Sequence, residues 1–323
     1  MRQALNGRKY PYKLSSYRET RMTEFVPTAK TKGERRSAGR GAVFENPLGG
    51  CMRIVMVSGL LALCGALAAP LVMAQSGKVE VLWLGQSAFK ITTPGGKVIV
   101  TDPWLIKNPL TPPQYKNLDN LGKVDLLLVT HGHGDHIADA PQLAKKNNIP
   151  MYAPGDLNMA LTTLGVLPPA QLPRFNKSGR ITPPPGIKVT ATHAEHSSVY
   201  VWNNPASGKD ETHPGGEPVG YIIELENGFK IWHMGDTGVF GDMKFISDYY
   251  KPDLVLIPIG GHFTMDPADA GYALRELIKP GFAIPMHYGA NPLGKGTPQE
   301  LLHALGNAAV KVLPLKPGEK AEF

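Results

Sequence analysis

A chain of 323 residues, 42% of them hydrophobic, is long enough to bury a large core. Its formal net charge of +7 is unevenly placed: residues 1–51 hold eleven Lys/Arg against four Glu, and Arg53 adds one more. The remainder stands at −1, so the basic balance is no argument that the folded part binds nucleic acid.

Residues 1–51 hold few apolar clusters and are predicted to be disordered. Met52-Arg53 opens a short positive segment, an apolar run follows from Ile54 to Ala69, and Val72-Met73-Ala74 offers a small-residue cleavage site before Gln75. That is the pattern of a secretory signal over 52–74. An uncleaved membrane anchor competes with it, but the small residues and Pro70 that close the run favour cleavage. Translation from Met52 would remove the basic extension altogether, which a start-site measurement decides. Residues 75–323 are then expected to be exported, periplasmic or secreted, with no stable membrane association once the signal is removed. Both cysteines, Cys51 and Cys64, fall before residue 75, so this part has neither disulfides nor thiolate ligands.

In chain order, Lys78–Leu84, Ala88–Thr92 and Lys97–Thr101 read as a β-meander with a turn at Pro94-Gly-Gly. Proline-rich stretches at 109–113 and 168–173 read as loops. Val124–Thr130 is an apolar strand that runs directly into His131-Gly-His133-Gly-Asp135-His136, with a helix expected over 137–146. Ile187–Thr192 is a strand that delivers His193 and His196. Val219–Leu225 and Phe229–Trp232 form a hairpin across Glu226-Asn-Gly228. Asp253–Ile259 reads as a buried strand, Asp266-Pro267 as an N-cap and first turn of a helix to about Lys279, and Phe282–Met286 as a strand ending in His287. The strand and Gly/His turn at 124–133 are faintly echoed at 252–262. Strands interleaved with helices in this way suggest two βα halves packed sheet on sheet with helices outside, an α/β fold.

The cluster at 131–136 carries the chemistry. Imidazole and carboxylate are ligands for Zn²⁺ and similar cations, and the intervening glycines let the backbone curl so that alternate side chains converge. A short turn cannot easily aim all four groups at one ion. The natural arrangement is two ions side by side, His131 and His133 on one, Asp135 and His136 on the other. That predicts a hydrolase built around a metal-bound hydroxide.

Thr130-His-Gly-His-Gly-Asp-His136 resembles the signature of the metallo-β-lactamase superfamily, and further matches are His196 in Glu-His-Ser-Ser, Asp236 in Met-Gly-Asp-Thr and His287 in Pro-Met-His-Tyr. Phrases such as Gly235–Met243, Pro258-Ile-Gly260 and Phe263-Thr-Met265 are similar to a metal-dependent hydrolase family near the ascorbate-6-phosphate lactonase-like branch. The resemblance runs from about Val79 to the C-terminus. It implies a single catalytic domain with a four-layer αβ/βα sandwich and metals at one edge between the sheets. It also implies that His131, His133 and His196 hold one metal, that Asp135, His136 and His287 hold a second, and that Asp236 bridges both. A bridging carboxylate is what two close cations require to offset their repulsion.

His193, three residues before His196, is the rival third ligand, and the family pattern favours the histidine before Ser197-Ser198. His262 is a candidate for the active-site rim and, with Tyr288, for protonating the leaving atom. Asp135 and Asp236 are the other catalytic candidates, with Asp236 orienting the bridging hydroxide. Asp102 either accepts a hydrogen bond from a metal-bound imidazole or is a turn aspartate before proline. His213 is expected in a Gly/Pro-rich loop, His233 as structural, and His303 on a helix surface. The cofactors expected are two divalent ions, Zn²⁺ first and Mn²⁺ as its rival. The substrate expected is a small lactone, ester or phosphodiester rather than a nucleic acid, because no long insertion resembles the extra domain of nucleic-acid-processing relatives. The non-enzymatic alternative is an exported module that stores or senses metal.

Overall fold

The computed structural model describes residues 77–183 and 185–323. The extension and signal segment expected over 1–74 lie outside the described residues. Among the described residues, no helix is long and apolar enough to cross a membrane.

The strands are β1 (Glu80–Gly85), β2 (Ala88–Thr92), β3 (Val98–Thr101), β4 (Leu126–Leu128), β5 (Met151–Pro154), β6 (Arg174–Phe175), β7 (Arg180–Ile181) and β8 (Lys188–His193). They continue as β9 (Val199–Asn204), β10 (Lys209–Pro214), β11 (Val219–Glu224), β12 (Lys230–His233), β13 (Leu254–Pro258), β14 (Phe282–Met286), β15 (Lys311–Val312) and β16 (Lys320–Glu322). One seven-stranded sheet has the order β16-β1-β2-β3-β4-β5-β6, a second the order β15-β14-β13-β12-β11-β8-β7, and β9 and β10 form a separate hairpin. The helices are α1 (Gly134–Ile137), α2 (Ala140–Asn147), α3 (Gly155–Thr163), α4 (Met243–Tyr250), α5 (Pro267–Tyr272) and α6 (Pro298–Leu305).

Side-chain alternation builds the layers. Val81, Trp83, Leu126 and Leu128 of the first sheet share one buried cluster with Val189, Tyr221, Leu254, Leu256 and Ile284 of the second. The residues between them turn the other way. Leu82, Leu84, Leu127 and Val129 pack with Ile137, Leu143, Leu157 and Leu161 from α1–α3. Val255, Ile257 and Ala283 pack with Met243, Ala270, Leu301 and Leu305 from α4–α6. The result is the expected αβ/βα sandwich. Tyr221 links the two sheets directly, its hydroxyl donating to the Val129 carbonyl at 2.6 Å.

Two local expectations are corrected, and a third, the helix from Asp266 to about Lys279, holds in extent but not in winding. The helix expected over 137–146 breaks at Asp139, whose carboxylate accepts from the Leu105 and Ile106 amides at 2.6 and 3.0 Å, and α2 restarts with Pro141 in its first turn. The helix begun at Asp266, whose side chain caps the Asp269 amide, runs on to Ile278 as wider π turns from Ala273. His213 lies not in a loop but on β10, half-buried, edge-on to Trp202 at 5.9 Å.

Candidate metal centre

Four strand ends converge on one rim. β4 leads into the 131–136 turn, β8 into the loop carrying His196, β12 into Met234-Gly235-Asp236, and β14 into His287. β12, β13 and β14 are parallel, and β8 runs the same way because two antiparallel pairings separate it from β12. In α/β sheets such carboxyl ends are where ligands bind. Gly235 adopts φ +64°, and a Cβ there would meet the Val219 carbonyl at 2.9 Å, so only glycine lets the chain turn Asp236 inward.

The seven expected side chains fall into two groups whose ligand atoms lie within 4.8 Å of one another: His131, His133 and His196, and Asp135, His136, Asp236 and His287. Nε2 of His131 and Nδ1 of His133 are 2.9 Å apart. Asp236 touches both groups. Its Oδ2 lies 2.9 Å from His287 Nε2, 3.5 Å from His196 Nε2 and 4.0 Å from His131 Nε2, and its Oδ1 lies 3.2 Å from His136 Nε2.

A buried hub sets the ring orientations. Asp102, fully buried at φ +42°, accepts from the Thr130 amide and Thr130 hydroxyl, both at 2.7 Å, and from His136 Nδ1 at 2.8 Å. A carboxylate only accepts here, so His136 Nδ1 carries a proton, and it is Nε2 that would give up its own proton and offer a lone pair to a cation. The Thr130 hydroxyl gives its one hydrogen to Asp102, so it can only accept from His131 Nδ1, 3.1 Å away. His131 Nε2 is thereby left bare. Asp102 thus acts as the orienting partner of a candidate ligand histidine rather than as a mere turn residue.

Sequence reading missed Gln86. It sits at φ +53° in the β1–β2 turn, donates from Nε2 to Asp135 Oδ2 at 2.9 Å, and accepts the His287 amide on its own carbonyl at 3.1 Å. One residue therefore pins two candidate ligands, and a polar residue in a β-turn gives no signal of that. Ser198 was also missed: its Oγ accepts the Gly132 amide at 3.0 Å and donates to the Gly215 carbonyl at 2.9 Å, tying the histidine turn to the hairpin root.

Burial opposes charge on every group in the cluster, yet opposite charges outweigh it for several. His136 and His287 hold the Asp236 carboxyl well below its usual range, and His136 with His287 does the same for Asp135. Conversely, Asp236, Asp135 and Asp102 keep His136 well above the ordinary imidazole value, and Asp236 with Asp135 pushes His287 up to about 9. His131 goes the other way, pushed well down by burial and then by His136. Even so, His136 Nε2, His287 Nε2 and Asp236 Oδ1 are buried and, despite their close approach to one another, none makes a well-directed hydrogen bond. Buried polar atoms are seldom left so, and a divalent cation would satisfy all three. The all-N/O donor set fits such an ion.

A family model described as "Beta-lactamase superfamily domain" matches residues 97–288. A UPF0173 metal-dependent hydrolase from Polaromonas sp. is 70% identical over 269 residues, covering 82% of this chain and 98% of the relative. The chain belongs to the beta-lactamase superfamily. Within that superfamily it is similar also to a UPF0173 metal-dependent hydrolase of Cupriavidus necator, 59% identical over 286 residues (84% of this chain, 99% of the relative). Among solved structures, Igni18, a metallo hydrolase from Ignicoccus hospitalis, is 32% identical with a TM-score of 0.65, over 76% of this chain and 98% of that one. Isothiocyanate hydrolase from Delia radicum gut bacteria, at 18% identity and TM-score 0.54 over 76% and 99%, shares the fold.

The beta-lactamase-like rim opens into a cavity of about 410 Å³, lined by Gln86, Trp104, His133, Asp135, His196, Ser197, Asp236, Phe263, His287 and Asn291. His193 is outside the cluster, between Lys177 Nζ and Glu195 Oε2 at 3.3 Å each and edge-on to Phe240, so His196 is the histidine brought to the site. The structure does not bring His262 there: it is exposed at φ +59°, edge-on to Phe263, and Phe263 lines the cavity instead. Nor does Tyr288 line it, its hydroxyl pointing to the Leu315 carbonyl at 3.5 Å and its acidity pushed by burial to about 12. His233 is buried and bonds the Ser87 carbonyl at 2.9 Å, a structural place, and His303 is exposed on α6.

Proposed function

We propose that this metal-dependent hydrolase works with two divalent ions, His131, His133 and His196 holding one, Asp135, His136 and His287 the other, with Asp236 shared. The observation that carries this is the position of Asp236 Oδ2, within 4.0 Å of ligand nitrogens from both groups. Zn²⁺ is the first choice and Mn²⁺ its rival for this imidazole and carboxylate set. Ions held there would bring water into its nucleophilic form near neutral pH and polarise the bond to be cut, so no serine or cysteine nucleophile is needed.

The chain's own residues supply positioning. Asp102 and Thr130 fix the tautomers of His136 and His131. Gln86 holds Asp135 at the cavity edge, where its partly exposed carboxylate can take a hydrogen bond from the attacking water. Asp236 sits beneath, able to orient the same water. A cavity of about 410 Å³ suits a small molecule, and a small ester, lactone or phosphodiester is the substrate proposed. The signal pattern over 52–74 makes it an exported enzyme. The test is to strip the full chain of metal, reload it with Zn²⁺ or Mn²⁺, and assay esters, lactones and phosphodiesters. Turnover on reloading, lost in Asp236→Ala and His131→Ala, supports the reading. Metal uptake with no turnover of any member would make the chain a binding module.

A further inference from the structure

Two of the cavity-lining residues, Trp104 and Phe263, are aromatic, and neither is explained by the candidate metal ligands. Phe263 is 47% exposed where it lines the cavity, so apolar ring surface is open to contact there. Trp104, which also lines the cavity, is half-buried. Both are held by the framework that positions the ligands. Trp104 lies two residues after Asp102, and the Leu105 and Ile106 amides that follow are clamped on the Asp139 carboxylate, while the Asp139 amide returns to the Pro103 carbonyl at 2.9 Å. Phe263 rides on a turn closed by Gly261 N to Met265 O at 2.9 Å. That turn is pinned to the residue after Asp236 by Met265 N to Thr237 O at 3.0 Å. His262 packs edge-on against the Phe263 ring, 4.4 Å between centroids. The backbone that carries both aromatics is therefore tied to the segments that carry the candidate ligands.

The rest of the lining bears on charge. Ser197 and Asn291 add neutral polar groups, and among the described residues no lysine or arginine lines the cavity. An anionic group remote from the ions would meet no counter-charge and would lose hydration.

Building on the hydrolase reading, we infer that the cavity selects an uncharged acyl substrate carrying a flat apolar group, with Trp104 and Phe263 as the residues that determine this specificity. Water attacks the acyl carbon, the carbonyl to leaving-group bond breaks, and the products are the carboxylic acid and the protonated leaving group. Binding of the apolar group covers the exposed ring face, and aromatic pairs gain beyond simple burial. Substrates with a negative charge remote from the scissile bond are excluded.

The test uses the metal-loaded full chain and matched p-nitrophenyl esters. The phenylacetate should exceed the acetate in kcat/KM by about tenfold or more, and the butyrate should exceed the equally long, anionic hemisuccinate by a similar factor. Trp104→Ala and Phe263→Ala should each collapse the phenylacetate-to-acetate ratio while metal content and thermal midpoint hold. A second readout needs no bond cleavage: calorimetric binding of 4-phenylbutan-2-one against levulinate, both methyl ketones. The neutral aromatic ketone should bind at least tenfold tighter, and both variants should narrow the difference by weakening the ketone while leaving levulinate as poor as before. Hemisuccinate or levulinate preferred, or preferences untouched in both variants, overturns the inference. Failure of every ester alongside retained ketone selectivity would instead count against the hydrolytic reading alone.

Discussion

Asp102→Asn removes one acceptor and changes almost nothing in size, so it isolates the hub. Asp102 accepts three hydrogen bonds, from the Thr130 amide on Oδ1 and from the Thr130 hydroxyl and His136 Nδ1 on Oδ2. An asparagine has one acceptor oxygen. If that oxygen keeps the Thr130 amide, the new NH₂ faces His136, which must then accept on Nδ1 and carry its proton on Nε2, where the ion should bind. The Thr130 hydroxyl, now receiving a hydrogen, becomes free to donate to His131 Nδ1 and invert that ring too. If the amide flips, His136 is restored but the buried Thr130 N–H faces another donor, at a cost of about 1–3 kcal/mol. Loss of such an orienting partner weakens metal binding by about ten- to a hundredfold, or about 1.4–2.8 kcal/mol. Chelator-competition titration should show that weakening. Thermal unfolding of the metal-free variant should show a smaller midpoint change than the loaded one. Wild-type affinity in Asp102→Asn would refute the tautomer argument.

His196→Ala should lose bound metal while His193→Ala keeps it, as read by elemental analysis after dialysis; the reverse would exchange their roles. Gln86→Asn keeps a residue that tolerates the left-handed backbone at φ +53° but shortens the arm that reaches Asp135. Affinity for an ion on the Asp135, His136 and His287 side should fall about tenfold, and an unchanged titration would remove Gln86 from the site's support. In the metal-free chain Asp236 and Asp135 push His287 up to about 9 and keep His136 well above its ordinary value, against 6.5 when unfolded. Both shifts are upward, so their stabilisation is complete below about pH 6.5 and is lost as pH rises through about 9. The midpoint in chelator should fall across that window, and a flat or rising profile would contradict the charge pattern.

The outline was legible because strand and ligand signals coincide. The apolar strand before His131, the 187–192 strand before His196 and the 282–286 strand before His287 place their histidines at strand ends, where a glycine turn leaves side chains free to converge. The layers followed from alternation within those strands. What sequence did not show depends on partners far along the chain. Nothing local marks Asp139 as a clamp for residues 105 and 106, so the helix break there was invisible. The β9–β10 hairpin hides because its alternation is mostly polar, with exposed Val199 and Val201. The fate of His262 and Phe263 was a matter of which neighbour the turn at φ +59° swings inward, and periodicity cannot read that.

The central claim is that one shared carboxylate joins two ion sites. The most direct measurement is metal content per chain after reloading and gel filtration, in the wild type and in Asp236→Ala. Two ions per chain in the wild type, with the variant retaining one or none, is the result the geometry predicts. A wild type saturating at one ion per chain, with Asp236→Ala binding it as tightly, would contradict it.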